Sequence, residues 1–421
     1  MARPFAAPGR QNPPPTPSPS PGAQRYLALC ARPTEPLVAA ELRALPDVTD
    51  VEIGAGVVAF AGPKSALYRA NLHLRTASRV LLRLVDAPCR GADDLYAAAY
   101  ALPWENFLRP EGTLAVAAHG LGPGISNSMF AALKVKDAVV DRFRARFGLR
   151  PNIDVEQPDI RINVQLYEGP GAGDRGRTGP RVALSLDSSD PPLHQRGYRR
   201  SPTSAPMKET LAAAIISTAL TRGRGEGAEP DKLVPIVDLC CGSGTLLIEA
   251  GLHALRRAPG LRRLFGCMRW RDFDRPLWQQ LVRESQRAEL SADASTPFLH
   301  GIDIERSAIL AARRNIEAAG LDTLARVRVG DLREAEPPPG PPGIVVCNPP
   351  YGERLLTGRS DELAALYAGL GETLKRRFVG WTAFVFTANL ELITPIGLRP
   401  RARHILYNGN LEGRLLELPL Y

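Results

Sequence analysis

Two short stretches combine residue types able to hold a nucleotide-like ligand and an amine. The first, residues 234–249, reads V-P-I-V-D-L-C-C-G-S-G-T-L-L-I-E. An apolar run ends in Asp238, a turn with Gly242 and Gly244 follows, and a helical pattern begins at Thr245. A buried strand, a sharp turn and a helix N-terminus in that order open a nucleotide-binding βα unit. The glycines let the backbone pass close to a ligand where a Cβ would collide. The second stretch, residues 343–353, reads G-I-V-V-C-N-P-P-Y-G-E. Its strand runs straight into Asn348, Pro349, Pro350 and Tyr351. Two consecutive prolines cannot donate to a ladder, so the strand stops and its polar end projects. Strand carboxyl ends are where open parallel sheets bind ligands. An asparagine, a proline carbonyl and an aromatic ring at that edge make a pocket for a planar, amino-bearing group.

Further strands must position these ends. Residues 298–304, F-L-H-G-I-D-I, form the next one, with Asp303 placed to accept hydrogen bonds from both ribose hydroxyls of a nucleotide. Glu305 competes for that role. Residues 326–329 form a third strand, followed by Asp331 where an adenine amino group would lie. Helical patterns over 207–220, 245–256, 307–319 and 362–378 separate these strands. Residues 382–387, then a hairpin of 403–407 and 415–418 around Asn408-Gly409-Asn410, complete a mainly parallel sheet with an antiparallel closing strand. Trp270, Phe273 and Trp278 have the spacing of an apolar face and read as core in preference to a base-stacking platform. Cys347, at a buried strand end, reads as packing and not as a nucleophile.

Upstream, residues 24–188 read as an α+β succession with no catalytic constellation. A long amphipathic helix over 127–147 carries Lys134, Lys136, Arg142, Arg144 and Arg146, either a solvated face or a nucleic-acid face. Residues 160–166 pair with 181–186 across an exposed glycine-rich loop at 169–180. The joint L-H-Q-R-G-Y-R follows at 193–199, where His194 reads as a packing residue more than a general base. Residues 1–22, rich in Pro, Ser and Ala, read as a disordered tail without the apolar segment of a signal peptide. The 421 residues suffice for two or three domains, and a net charge of +9 suits a polyanionic partner. Six cysteines without a C-x-x-C pair suggest neither zinc nor a disulfide framework, and fit a reducing cytosol. No apolar run is long enough to span a membrane.

The glycine turn paired with N-P-P-Y resembles the class I S-adenosylmethionine-dependent amino-methyltransferases, whose mainly parallel sheet also closes with an antiparallel strand. Further matches lie at Trp104-Glu105, K-V-K-D-A-V-V-D (134–141), P-D-I-R-I-N-V (158–164), Ser185-Leu186-Asp187, R-G-Y-R (196–199), A-P-M-K-E-T-L-A (205–212) and residues 403–418. Over about residues 25–421 the chain thus resembles the THUMP-domain rRNA methyltransferases, and among them the bacterial large-subunit (guanine-N2)-methyltransferases. The resemblance implies a ferredoxin-like domain at 24–68, a THUMP RNA-binding domain at 69–188 and a Rossmann-like catalytic domain at 189–421. It implies S-adenosylmethionine held by Asp238, Cys241, Gly242, Gly244, Asp303, Ile304, Asp331 and Asn348, and catalysis by Asn348, Pro349, Pro350 and Tyr351. It further implies RNA contacts at Lys134, Lys136, Arg196, Tyr198 and Arg199, with 23S rRNA or a pre-ribosomal particle as partner. No metal, membrane or obligate protein partner is expected, and the location is the cytoplasm. Gln195, Leu239-Cys240 and Cys347 depart from the family's usual residues without removing a group the chemistry needs. N-P-P-Y also occurs in DNA adenine-N6 and protein glutamine-N5 methyltransferases; the N-terminal 190 residues argue for RNA over both. A tRNA enzyme, or a non-catalytic ribosome-assembly factor on the same scaffold, is the competing expectation.

Overall fold

The computed structural model describes residues 23–170, 178–200, 207–223, 233–291, 298–352 and 360–421. The Pro-rich tail, the tip of the 169–180 loop and the Ala205-Pro206 part of the family match lie outside the described residues.

The N-terminal half runs β1 (Gln24–Cys30), α1 (Glu35–Arg43), β2 (Thr49–Gly54), β3 (Val57–Gly62), α2 (Lys64–His73), β4 (Ala77–Pro88), α3 (Ala92–Ala101), β5 (Thr113–His119), α4 (Ser128–Phe147), β6 (Asn152–Ile153), β7 (Ile160–Pro170) and β8 (Thr178–Asp187). One eight-stranded sheet, in the order β2-β3-β1-β4-β8-β7-β5-β6, carries all of it. Alternation sets the buried face of β7, where Ile160, Ile162, Val164 and Leu166 point into the core. Helix α4 starts where the Asn127 side chain accepts the Met129 amide and stops at Gly148, whose φ of 68° ends the helix in the left-handed region. Its buried stripe of Ala131, Val135, Ala138, Val139 and Phe143 faces the sheet.

The C-terminal half runs α5 (Glu209–Gly223), β9 (Ile236–Asp238), α6 (Thr245–Ala254), α7 (Arg275–Arg287), β10 (Leu299–Asp303), α8 (Arg306–Ala319), β11 (Ala325–Val329), β12 (Ile344–Cys347), α9 (Ser360–Arg377), β13 (Thr382–Thr387), β14 (Ala402–Asn408) and β15 (Leu411–Pro419). Its sheet has the order β11-β10-β9-β12-β13-β15-β14. The first five strands are parallel neighbours, and β15 is antiparallel to both β13 and β14. Strands β9 and β12 are buried along their whole length, as strands covered on both faces must be. Residues of α5, α6 and α8 pack on one face and residues of α9 on the other. From β9 the chain steps outward to β10 and β11, then crosses back to place β12 on the other side of β9. This reversal is the topological switch point, and ligand crevices open outside the strand ends there.

Two findings could not be read from periodicity. The segment with Trp270, Phe273 and Trp278 is core as expected, but its core belongs to the N-terminal half. Phe265, Cys267, Trp270 and Leu281 join the cluster built around Tyr26, Tyr68 and Trp104. Trp278 meets Tyr68 edge-on with ring centroids 5.6 Å apart. An excursion of the catalytic half therefore clamps onto α2.

The second finding corrects the expected RNA contacts in the R-G-Y-R joint. Arg196 is only 3% exposed, and Tyr198 is equally buried. The Arg196 guanidinium donates to the carbonyls of Leu193, Leu74 and Arg75 and faces Glu249 of α6, with Nε 3.5 Å from Oε1. The Tyr198 hydroxyl donates to Glu249 Oε1 at 3.0 Å. Arg199 is turned inward as well, donating to Glu209 Oε1, the Met207 carbonyl, Ser243 Oγ and Thr245 Oγ1. Guanidinium donors committed to protein acceptors are not presented to phosphate. The joint is internal wiring between the two halves.

Candidate active site at the switch point

The turn after β9 is held from several sides. Asp238 is buried at the strand end, and its Oδ1 accepts the Cys240 amide at 3.1 Å. The Cys241 amide donates to the Ile302 carbonyl at 3.0 Å, which ties the turn to β10. The Gly242 amide donates to Asp303 Oδ2 at 2.8 Å, while Asp303 Oδ1 accepts the Glu305 amide at 3.0 Å. Of the two competing carboxylates, Asp303 is thus the one fixed against the glycine turn, whereas Glu305 stands exposed at the start of α8. Arg199 grips the two hydroxyls at 243 and 245, and Asn315 of α8 donates to the Ser243 carbonyl at 3.1 Å. The α6 N-terminus is therefore pre-set, with its first amides at the crevice, a natural place for an anionic ligand group.

The two glycines turn out to have different duties. Gly242, at φ +50°, would place a Cβ with nothing within 4 Å, so it borders open space. Gly244, at φ +82°, would bring a Cβ to 3.3 Å from Ala312 Cβ, so it serves the close approach of α6 and α8. Ile304 is 65% exposed and Val329 is 49% exposed at neighbouring strand ends, apolar surface left bare beside the crevice. Asp331 follows β11 as expected, but Arg333 Nε reaches both its oxygens at 2.9 and 3.0 Å, so any ligand amine would share that carboxylate.

Asn348 leaves the carboxyl end of β12 beside this turn, and the Leu239 amide donates to the neighbouring Val346 carbonyl. Asn348 Oδ1 is buried without a hydrogen-bond partner. A buried amide oxygen without a donor is costly, typically 1–3 kcal/mol, unless a ligand supplies the donor. Pro349 is buried, and Tyr351 is half-buried with its ring edge-on to Phe386 at 6.4 Å. The structure thus brings Asn348, Asp238, Gly242 and Asp303 to one sheet edge. Lys134 and Lys136 lie elsewhere, on α4. Lys134 Nζ sits 5.9 Å from the Tyr96 ring centre, and Lys136 pairs with Asp137 at 2.6 Å. Arg142 and Arg146 both close on Glu105, which takes up part of the positive charge read on that helix. His194 stays in the joint, where burial lowers its pKa. No group of side chains among the described residues could hold a metal ion.

Sequence reasoning missed Glu249, Asn315 and the inward role of Arg199. A glutamate inside the apolar run L-L-I-E-A-G-L was the visible signal for the first; the other two required the fold.

Burial, opposed by the Cys240 amide and reinforced by the Asp303 carboxylate, raises Asp238 to about 8. An unfolded aspartate titrates near 3.9, so the folded state keeps a proton that the unfolded chain releases. The stability tied to that proton is full below about pH 4 and is lost progressively as the pH rises towards 8. Asp238→Asn keeps an acceptor for the Cys240 amide and removes the titration. Its urea midpoint should therefore fall less than that of the wild type between pH 5 and about 8, and parallel pH profiles would contradict the assignment. The glycines give a second test. Gly242→Ala should cost about 1 kcal/mol of backbone strain yet weaken calorimetric binding of S-adenosylhomocysteine at least tenfold. Gly244→Ala should act mainly on the melting temperature through the α6–α8 contact. Unchanged affinity in Gly242→Ala would remove that residue from the site.

Family models match three stretches of the chain: an RlmL ferredoxin-like domain over residues 25–81, a THUMP domain over 89–169 and an RMKL-like methyltransferase domain over 196–417. The chain is 44% identical to the ribosomal RNA large subunit methyltransferase K/L of Syntrophotalea carbinolica, covering 94% of this chain and 53% of that protein. It thus spans about half the length of that curated relative. It is 38% identical to a Synechocystis protein carrying a provisional RNA methyltransferase name, covering 94% of this chain and 97% of the other. The crystal structure of SMU.472, provisionally named a methyltransferase and complexed with SAH, superposes with a TM-score of 0.80 at 28% identity, covering 95% of this chain and 99% of that one. The expected three-part architecture is therefore present. The buried amide oxygen, the glycine that borders open space and the bare apolar strand ends fit a nucleoside-bearing methyl donor. The chain belongs to the RMKL-like methyltransferase family, as a class I enzyme with ferredoxin-like and THUMP domains and S-adenosylmethionine as its methyl donor.

Proposed function

We propose that the chain methylates the exocyclic N2 amine of a guanine in large-subunit ribosomal RNA. The observation that carries this reading is the unpartnered, buried Oδ1 of Asn348 at the switch point. An amine N–H is the donor that oxygen lacks. S-adenosylmethionine supplies a sulfonium-bound methyl group, an electrophile that needs little further activation. The protein's task is the nucleophile, because the lone pair of an exocyclic amine is delocalised into the ring. Asn348 Oδ1 and the Pro349 carbonyl each accept one N–H, which favours a pyramidal nitrogen with its lone pair turned outward. The Pro349-Pro350 pair holds that carbonyl in place, since neither residue has an amide to pull it into a ladder and both have fixed φ. Tyr351 stacks on the base, an interaction typically worth 1–3 kcal/mol in stacking platforms. Orientation at near-attack distance supplies much of the rate, and the proton of the methylated amine passes to water after transfer.

We assign residues 189–421 to the chemistry, with Lys134 and Lys136 as phosphate contacts. We place the boundary between the ferredoxin-like and THUMP domains beyond α2 and not at 68/69, which would cut that helix and the match over 25–81. Arg196, Tyr198 and Arg199 are withdrawn from that role by their burial and partners. The names of the K/L relatives favour ribosomal over transfer RNA, and the six free cysteines suit a reducing cytoplasm.

The test is incubation with labelled S-adenosylmethionine and unmodified rRNA or tRNA pools, followed by mass spectrometry of the digested nucleosides. N2-methylguanosine in rRNA is expected. N6-methyladenosine would keep the pocket and refute the base, and label in tRNA alone would refute the substrate. Asn348→Ala should lower turnover roughly 10²-fold, the scale for losing one pre-organised hydrogen-bonding group, with RNA affinity nearly unchanged.

A further inference from the structure

The hairpin that closes the catalytic sheet reaches the pocket. Asn408 is the last residue of β14, paired with Leu411 across the turn, and its Nδ2 donates to the Tyr351 hydroxyl at 2.7 Å. Nothing in the sequence joins these residues, which stand 57 positions apart.

Tyr351 needs such a tether. It follows two prolines that have no amides to anchor the backbone, and it precedes Gly352, whose φ is +100°. Its ring is bounded by the edge of Phe386, at an interplanar angle of 83°. Phe386 in turn lies on β13 where β15 leaves it room, since a Cβ on Gly413 would come within 2.5 Å of the Phe386 ring. The hydroxyl end of Tyr351 is caught by Asn408. The hairpin that presents Asn408 is itself braced, because the Tyr407 hydroxyl donates to Glu412 Oε2 at 2.7 Å and Arg414 pairs with Glu412 Oε1 at 2.7 Å. Gly409 completes the reversal at φ +65°.

We propose that Asn408 is a positioning residue, which fixes the plane of the Tyr351 ring through its hydroxyl and makes the β14–β15 hairpin tip a wall of the target-base pocket. The proposal rests on the reading that Tyr351 stacks on the flipped base. A ring already held in its stacking plane loses less side-chain freedom when the base arrives, and the base is met by a fixed surface. Extrusion of the base costs a few kcal/mol in general, so a pre-set stacking partner acts on the step that places the amine.

Single-turnover methylation of rRNA, at saturating RNA and cofactor, tests this with four variants. Asn408→Ala and Tyr351→Phe each break the same hydrogen bond, so each should slow methyl transfer about threefold to tenfold while calorimetric affinity for S-adenosylhomocysteine stays at the wild-type value. The double variant should be no slower than either single one, because the two residues act as a unit. Asn408→Asp offers the Tyr351 O–H an acceptor, restores the tether with donor and acceptor exchanged, and should run within about twofold of wild type. Asn408→Ala at the wild-type rate, multiplying effects in the double variant, or failure of Asp to rescue would each overturn the proposal. Tyr351→Ala separates the stacking role of the ring from the tether on its hydroxyl. If it too runs at the wild-type rate, the stacking reading itself fails; if it is impaired while Asn408→Ala is not, only the tether fails.

Discussion

A carboxylate taken out of water needs cations or hydrogen-bond donors around it. Glu249, 1% exposed inside α6, finds Arg196 and the Tyr198 hydroxyl, both delivered by the joint between the two halves. Arg196 also binds the carbonyls of Leu74 and Arg75, at the end of α2. Arg75 crosses the other way, donating to the Leu252 and Arg257 carbonyls at and beyond the end of α6. The helix gripped here is the one whose N-terminus forms the glycine turn. Burial makes the arrangement demanding, since removing Arg196 or Glu249 leaves the other's charge in a dry interior, at a typical cost of 3–5 kcal/mol for a broken buried pair. The end of α2 and the helix that begins at the glycine turn are therefore linked through the joint, and α7 with its aromatic cluster adds a second clamp on α2. RNA docked on one half would present a base to the other at a set distance.

The crevice combines groups whose hydrogen bonds are completed with one that is not. Asp238 Oδ1 and both oxygens of Asp303 accept backbone amides, and the protonated Asp238 adds no charge below about pH 8. Asn348 Oδ1 alone among these groups is buried without a donor. The difference separates residues held in place by the turn from a residue with an acceptor still to offer, which is the role proposed for Asn348. The strand stops at Asn348 because prolines follow, so the amide proposed to meet the amine is placed by the same feature that ends β12.

Much of this was legible in the chain. Strands β5, β12 and β13 run as their apolar patterns predict, and the N-P-P-Y and glycine stretches meet at one sheet edge. Local signals served well where the backbone itself is the message, as with two prolines or a glycine turn. The resemblance, and not a local signal, suggested RNA contacts at Arg196, Tyr198 and Arg199, and the R-G-Y-R motif reads the same whether its side chains meet phosphate or a buried glutamate. Local signals were silent on Gly242 against Gly244, which differ only in whether space or Ala312 faces the missing Cβ. Asn408 read as a turn residue, and only its arrival at Tyr351 gives it a further role. The aromatic segment around Trp270 was assigned correctly to core, yet nothing local says which half of the molecule that core belongs to.

Methyl transfer is proposed to take place at the switch point between β9 and β12, with Asn348 facing the amine. A crystal structure of the protein with S-adenosylhomocysteine tests it most directly. The expected result is the ligand's amino-acid end at the Gly242 turn, its ribose at Asp303, its adenine against Ile304, and Asn348 Oδ1 turned towards the ligand's sulfur with room for a base between Tyr351 and that sulfur. Ligand density in the cleft of about 220 Å³ lined by Arg257, Arg262 and Glu289 instead, with the switch-point crevice empty, would contradict it.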